Sequence, residues 1–257
     1  MSGQGGATEN HPLFDSEHLE IRTELARACR VMAHRGLVGD ILGHVSARVG
    51  TGHLLVRCRG PLERGLVFTG PDDIRLLDLD GNGDLSGGYA PPAELPIHTE
   101  VLRRHRDVMA VVHAHPPSVV ALGLAGITLR PIFGAFDIPA ARLAATGIPT
   151  YPRSVLIRRA ELAHEMLSCM GDRPACVLQG HGLVTTGATI AEAVLRALAV
   201  DTLARMSLDV VRAGGTLRDI PAEDLAELPD LGSGFNETVL WRHHLARLAA
   251  DGLDLPE

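Results

Sequence analysis

The chain has 257 residues, of which 46% are hydrophobic and 21% charged, and a formal net charge of −7. That balance describes an ordinary globular protein, and without a basic tract it argues against nucleic acid or an anionic membrane as a partner. No apolar run reaches the ~20 residues of a membrane helix, and the first ten residues lack the basic and apolar regions of a signal peptide.

Residues 1–14 read as a disordered leader, and 15–257 as one domain without a linker or internal repeat. Cys29, Cys58, Cys169 and Cys176 form no Cys-x-x-Cys pair and read as reduced thiols of a cytoplasmic protein. Asp15-Ser16 offers an N-cap for a helix over 17–35, whose apolar stripe includes Leu19, Leu25, Ala28 and Met32. Gly36 and Gly39 end it. Strands are expected at 43–48, 54–59, 66–69 and 74–80, followed by a hairpin turn at Asp80-Gly81-Asn82-Gly83-Asp84. That turn faintly resembles a calcium loop but lacks its distal acidic ligand.

Pro91-Pro92 lead into a helix over 93–106, with Pro96 in the first turn, where a missing N–H costs little. On it Glu94, Ile97, His98 and Val101 fall three and four apart, and so on neighbouring positions. A strand over 110–115 and a short helix from Pro117 follow, then weak helix over 140–145 and a helix over 161–170. A second strand, 175–181, ends in a histidine. A long amphipathic helix over 190–213 closes at Gly214-Gly215. The tail beyond is long enough to reach a neighbouring subunit, and its last helix carries Trp241 and an exposed pair, His243-His244. Strands crowded into the first half with helices throughout imply α/β layers around one sheet.

The segment Ala110-Val111-Val112-His113-Ala114-His115-Pro116-Pro117 carries the chemistry. Residues i and i+2 of a strand share a face, so His113 and His115 aim two imidazoles at one point. A divalent metal accepts that spacing, with a third ligand from elsewhere. Taken alone, a His-x-His is equally a half-buried strand whose histidines share water. Three features favour the metal: the prolines end the strand at once, Glu94 and His98 lie just upstream, and His181 ends a second strand.

Together, Gly43-His44-Val45-Ser46, Pro92-Ala93-Glu94-Leu95-Pro96-Ile97-His98, the His113/His115 segment and Gly180-His181-Gly182 resemble the class II aldolase/adducin family over about residues 17–213. The resemblance implies a three-layer α/β/α fold with a central, largely antiparallel sheet. It also implies a homotetramer with active sites at subunit interfaces, one divalent metal ion per subunit on His113, His115 and His181, and Glu94 as acid/base residue. Zinc or manganese suits that ligand set, and iron and cobalt are compatible with it.

The sequence departs from the family's sugar-phosphate aldolases. They carry Gly-Asn-x-Ser where His44 stands, and a serine pair where Pro92-Ala93 stand, and these groups hold the substrate phosphate. Their proton-donating tyrosine has no counterpart in Arg130–Phe136, since the only tyrosines are Tyr89 and Tyr151. A Gly-His-x-Ser motif looks like the branch of hydroxyaromatic carboxylate decarboxylases that act on substrates such as dihydroxyphthalate. The expected function is therefore a metal-dependent carbon–carbon lyase that decarboxylates a hydroxyaromatic (di)carboxylate. His44, Ser46, Arg57 and Arg59 are its expected substrate-binding residues, because guanidinium forks match carboxylates. An arginine pair on a strand is also, and more commonly, a solvated face. The alternatives are a retro-aldol lyase, an iron-dependent oxygenase of the same fold, and a non-catalytic adducin-like module, which would have no use for three histidines and Glu94.

Overall fold

A computed structural model describes residues 16–231 and 234–256. The expected leader and the Asp15 cap lie outside them. Seven strands form one sheet: β1 (His44–Val49), β2 (His53–Arg57), β3 (Ile74–Asp78), β4 (Ala110–Ala114), β5 (Thr150–Tyr151), β6 (Ala175–Leu178) and β7 (Gly182–Gly187). Their order is β3-β2-β1-β4-β7-β6-β5. Every pairing is antiparallel except β5 with β6.

Strand alternation sorts the sheet into two faces. Val45, Ala47, Leu55, Ala110, Val112 and Leu183 point into a core under α1 (Ser16–His34), α3 (Pro117–Leu124), α4 (Ile138–Ala145) and α6 (Ile190–Arg212). Val56, Val111, Cys176 and Val184 point the other way, against α2 (Leu95–Arg104) and α5 (Ala160–Met170). The result is the expected α/β/α sandwich. Each fully buried Val, Leu or Ile contributes ~1.5–3 kcal/mol by leaving water, so the two apolar faces fix the register and, with it, the face on which each polar residue must stand.

Several local expectations change. Residues 66–69 do not form a strand; Leu66–Phe68 are a turn of 3-10 helix, entered from Gly65 at φ +97°. The single buried side chain of that turn, Leu66, cannot hold a strand pairing. The hairpin turn after β3 is held by Asp78, whose Oδ1 accepts from the backbone N–H groups of Asp80 and Asn82. His181 stands not at a strand end but in the tight turn between β6 and β7, a strand the sequence reading left unassigned.

The tail also differs. The apolar face of α6 packs into the chain's own core through Ala193, Val194, Ala197, Val200 and Leu203. After α7 (Ala222–Glu227) and α8 (Trp241–Ala250), the last described residues fold back on α1. Arg27 Nε bonds Asp254 Oδ1 at 3.0 Å, and Arg30 donates to the carbonyl of Leu253 at 2.7 Å. His244 is buried and only His243 exposed, because α8 turns its Trp241–His244–Leu248 stripe inward.

Candidate active site

All the chemistry-bearing residues except the arginines converge on the α2 face of the sheet, where β1, β4 and the β6–β7 turn meet. Gly43 opens β1 at φ +93°, and a Cβ there would meet Val38 Cγ1 at 2.5 Å. Only glycine fits, and the turn delivers His44 directly opposite His113 in the β1–β4 pairing. Gly182 does the same for the third histidine. A Cβ on it would lie 2.2 Å from the Ala114 carbonyl oxygen, so the backbone of the β6–β7 turn can press against the end of β4 and bring His181 beside His113 and His115.

The three imidazole centroids form a triangle: His113–His115 4.6 Å, His113–His181 4.9 Å and His115–His181 4.9 Å. Glu94 stands at the N-terminus of α2 but does not cap it. Its Oε1 accepts the Ile157 N–H at 2.8 Å, and Oε2 lies 3.1 Å from His113 Nε2 and 3.3 Å from His181 Nε2. Glu94 and His113 are buried, whereas His115 and His181 are partly exposed, so solvent approaches from their side.

The donor set fits a divalent cation. The Nδ1 of His113 meets the Leu183 carbonyl at 2.9 Å and must donate to it, so a neutral ring turns a lone pair outward at Nε2. That lone pair faces His115 Nε2 at 2.7 Å and the Glu94 carboxylate. Four ligand atoms, from Glu94, His113, His115 and His181, lie within 4.8 Å of one another. Such a concentration of electron pairs is what a cation relieves. Burial alone would push the Glu94 carboxyl up, but an N–H or a positive charge on its His113 and His181 side outweighs burial and holds it well below the usual carboxylate range, and a bound cation would supply that charge. Burial, and then the field of His113, brings both His98 and His115 down to about 3.

Residues 23–208 match the model of the class II aldolase and adducin N-terminal domain. The chain belongs to the class II aldolase/adducin family. It is 60% identical over 237 residues to a 3,4-dihydroxyphthalate decarboxylase of Arthrobacter keyseri, which covers 91% of this chain and 96% of that protein. It is 56% identical to one of Terrabacter sp. strain DBF63, across 88% of this chain and 96% of that protein. The fold is shared with an aldolase II superfamily protein from Pseudomonas syringae, at a TM-score of 0.78 and 22% identity over 94% of this chain and 96% of that one.

Not every expected residue of this family member arrives at the cluster. His44 does, its ring 5.0 Å from that of His113. Ser46 is fully buried and spends its hydroxyl on His98 at 2.6 Å, which removes it from direct contact with a substrate. Arg57 is a correction. Strand alternation turns Val56 toward the cluster face and Arg57, one residue on, away from it, where Arg57 pairs with Glu63 and lines a separate cavity with Asp73 and Tyr89. The backbone of Arg59 pairs with Ala90, just before the Pro91-Pro92 entry to Glu94. Neither tyrosine serves the cluster: Tyr89 donates to Asp73 at 3.2 Å and Tyr151 to Glu165 at 2.9 Å. The sequence reading missed the Leu183 carbonyl and the Ile157 N–H, which orient His113 and Glu94. Both are backbone groups, to which no residue type gives a signal.

Proposed function

We infer that this chain is a metal-dependent lyase that removes one carboxylate from 3,4-dihydroxyphthalate. The observation that carries the reading is the high identity, over nearly the whole chain, to decarboxylases of that substrate. The Glu94–His113–His115–His181 cluster supports it. In chemical terms, the carboxylate beside a ring hydroxyl leaves as CO2, the electron pair of the broken C–C bond stays with the ring, and a proton takes its place. Loss from the carbon next to the 3-hydroxyl yields 3,4-dihydroxybenzoate.

When bound, a divalent ion supplies a positive charge that draws electron density out of the hydroxylated ring. His113, His115 and His181 would hold it; zinc suits three imidazoles, and manganese, iron or cobalt would also bind. Glu94 is proposed as the residue that moves the proton: Oε1 is anchored by Ile157, and Oε2, turned into the cluster 3.1 Å from His113 Nε2, would carry it. Of the two arginines, Arg59 remains the proposed carboxylate partner. A homotetramer that completes the pocket between subunits is also proposed, and the exposed apolar side chains of Leu62, Leu124 and Phe136 support such contacts. No helix among the described residues is long and apolar enough to cross a membrane, and a cytoplasmic location accords with the scattered free thiols.

The test is a direct competition. Metal-loaded protein is offered 3,4-dihydroxyphthalate beside fuculose 1-phosphate at equal concentration. The expected result is CO2 release from the aromatic acid with the sugar phosphate untouched. Cleavage of the sugar phosphate without CO2 would restore the aldolase reading.

A further inference from the structure

A buried chain of polar side chains runs up to the cluster without joining it. The hydroxyl of Ser46 lies 2.6 Å from His98 Nδ1, and His98 Nε2 lies 2.6 Å from His44 Nδ1. Ser46 and His98 are fully buried and His44 is 5% exposed. His44 therefore has one polar atom left, Nε2, on the opposite edge of its ring from His98 and beside the ring of His113.

A hydroxyl and two neutral imidazoles in a row have two proton arrangements. In one, Ser46 donates to His98, His98 donates to His44, and His44 turns an N–H outward at Nε2. In the other every bond reverses, His44 turns a lone pair outward, and the serine hydrogen must find an acceptor elsewhere. Among the described residues the Ser46 hydroxyl meets one partner, Nδ1 of His98. The reversed arrangement thus strands a hydroxyl hydrogen on a fully buried side chain, which is costly. In the outward N–H arrangement the Ser46 and His98 donors are both paired, and the one donor left open is the His44 Nε2–H, beside the cluster.

We propose that Ser46 and His98 are positioning residues that lock His44 in the tautomer with its proton on Nε2, so that His44 offers a fixed N–H to the carboxylate that a dicarboxylate aromatic substrate retains. The assignment to the retained carboxylate rests on the decarboxylase reading above. A hydrogen bond to the departing carboxylate would stabilise the charge that has to be lost, and so would slow the reaction. A bond to the retained one is equally strong before and after C–C cleavage, so it acts on binding rather than on turnover.

Two measurements test this. In the zinc-loaded wild-type protein with 15N-labelled histidine, the ring nitrogens of His44 should show a protonated Nε2 and an unprotonated Nδ1. The opposite pattern overturns the lock, whatever the substrate proves to be. In binding assays, Ser46→Ala and His98→Leu should weaken 3,4-dihydroxybenzoate, which keeps the carboxylate, by ~10–100-fold, the range for loss of a charge-assisted hydrogen bond. Catechol, which lacks the carboxylate, should bind as before. KM should rise more than kcat falls, metal content should not change, and His98→Gln, whose amide can still donate to His44 Nδ1, should recover part of the loss. Equal weakening of both ligands, or of neither, overturns the proposal. Should His98→Leu fail to fold, Ser46→Ala, which deletes one buried oxygen, still decides. Failure of the decarboxylase reading would look different: wild-type protein would bind neither ligand, while the 15N pattern of His44 would still report on the lock.

Discussion

The Nε2 atoms of His113 and His115 face each other at 2.7 Å, in a pocket where His113 has its other ring nitrogen committed to the Leu183 carbonyl. Without a metal, an Nε2–H of His115 can donate to the His113 lone pair at that distance, and a cation that takes both nitrogens as ligands displaces that proton. His113→Ala should therefore abolish stoichiometric metal binding and activity together. Chelation of the wild-type protein should lower its melting temperature, because a ligand that binds only the folded state stabilises it by mass action. Elemental analysis and calorimetry read both, and a His113→Ala protein that still binds one equivalent of metal would rule the site out.

Glu94→Gln separates proton transfer from architecture. The amide oxygen can still accept the Ile157 N–H that Oε1 now holds at 2.8 Å, so the fold should persist. Turnover should fall by ~10²–10⁴-fold, the usual contribution of a general acid or base, with a smaller change in substrate affinity. Near wild-type turnover would pass the proton to His44.

Acid should destabilise the metal-free protein well before global charge repulsion sets in. His98 and His115 sit near 3 when folded, against an ordinary 6.5, because burial disfavours their cations. Below pH 6.5 the unfolded chain therefore takes up protons that the folded chain refuses, and stability is lost progressively as pH falls toward 3. Glu94, also held below its ordinary value, adds to the loss in the same direction. Melting temperature should be flat above pH ~7 and drop below it. Metal affinity should decline over the same range, as protons compete for the ligand lone pairs. A melting temperature that rises on acidification contradicts this account.

Gly182→Ala tests how the third ligand is positioned. The new Cβ would stand 2.2 Å from the Ala114 carbonyl oxygen, so the β6–β7 turn has to back away from β4. A loss of ~1–3 kcal/mol, typical of overpacking, should accompany weakened metal binding as His181 moves off. Unchanged stability with full metal content would show that the turn can shift freely.

Tyr151→Phe should leave turnover at the wild-type level. The Tyr151 hydroxyl is spent on Glu165, and its removal should cost only the ~0.5–1.5 kcal/mol of one hydrogen bond. A large fall in kcat with stability intact would instead make Tyr151 a proton donor and revive the aldolase reading.

The residues of the candidate cluster were legible as residue types because their chemistry is carried by side chains at diagnostic spacing. His-x-His on a strand ending in Pro-Pro, glutamate at a helix start and histidine between glycines each mark a candidate in one dimension, and the fold brings them together. The layered α/β fold followed from alternation and helical periodicity for the same reason, as both are local. What the tertiary structure decided was orientation. Whether Arg57 or Val56 faces the cluster is a matter of strand parity, set by which apolar neighbours each core recruits and invisible at the level of an arginine pair. That Ser46 serves His98 rather than a substrate depends on β1 lying under α2. The groups that aim His113 and Glu94 are a carbonyl and an amide, present at nearly every residue and made specific only by where the backbone passes. Sequence alone thus determined which atoms could bind a metal and hold a proton; packing decided which way each of them points.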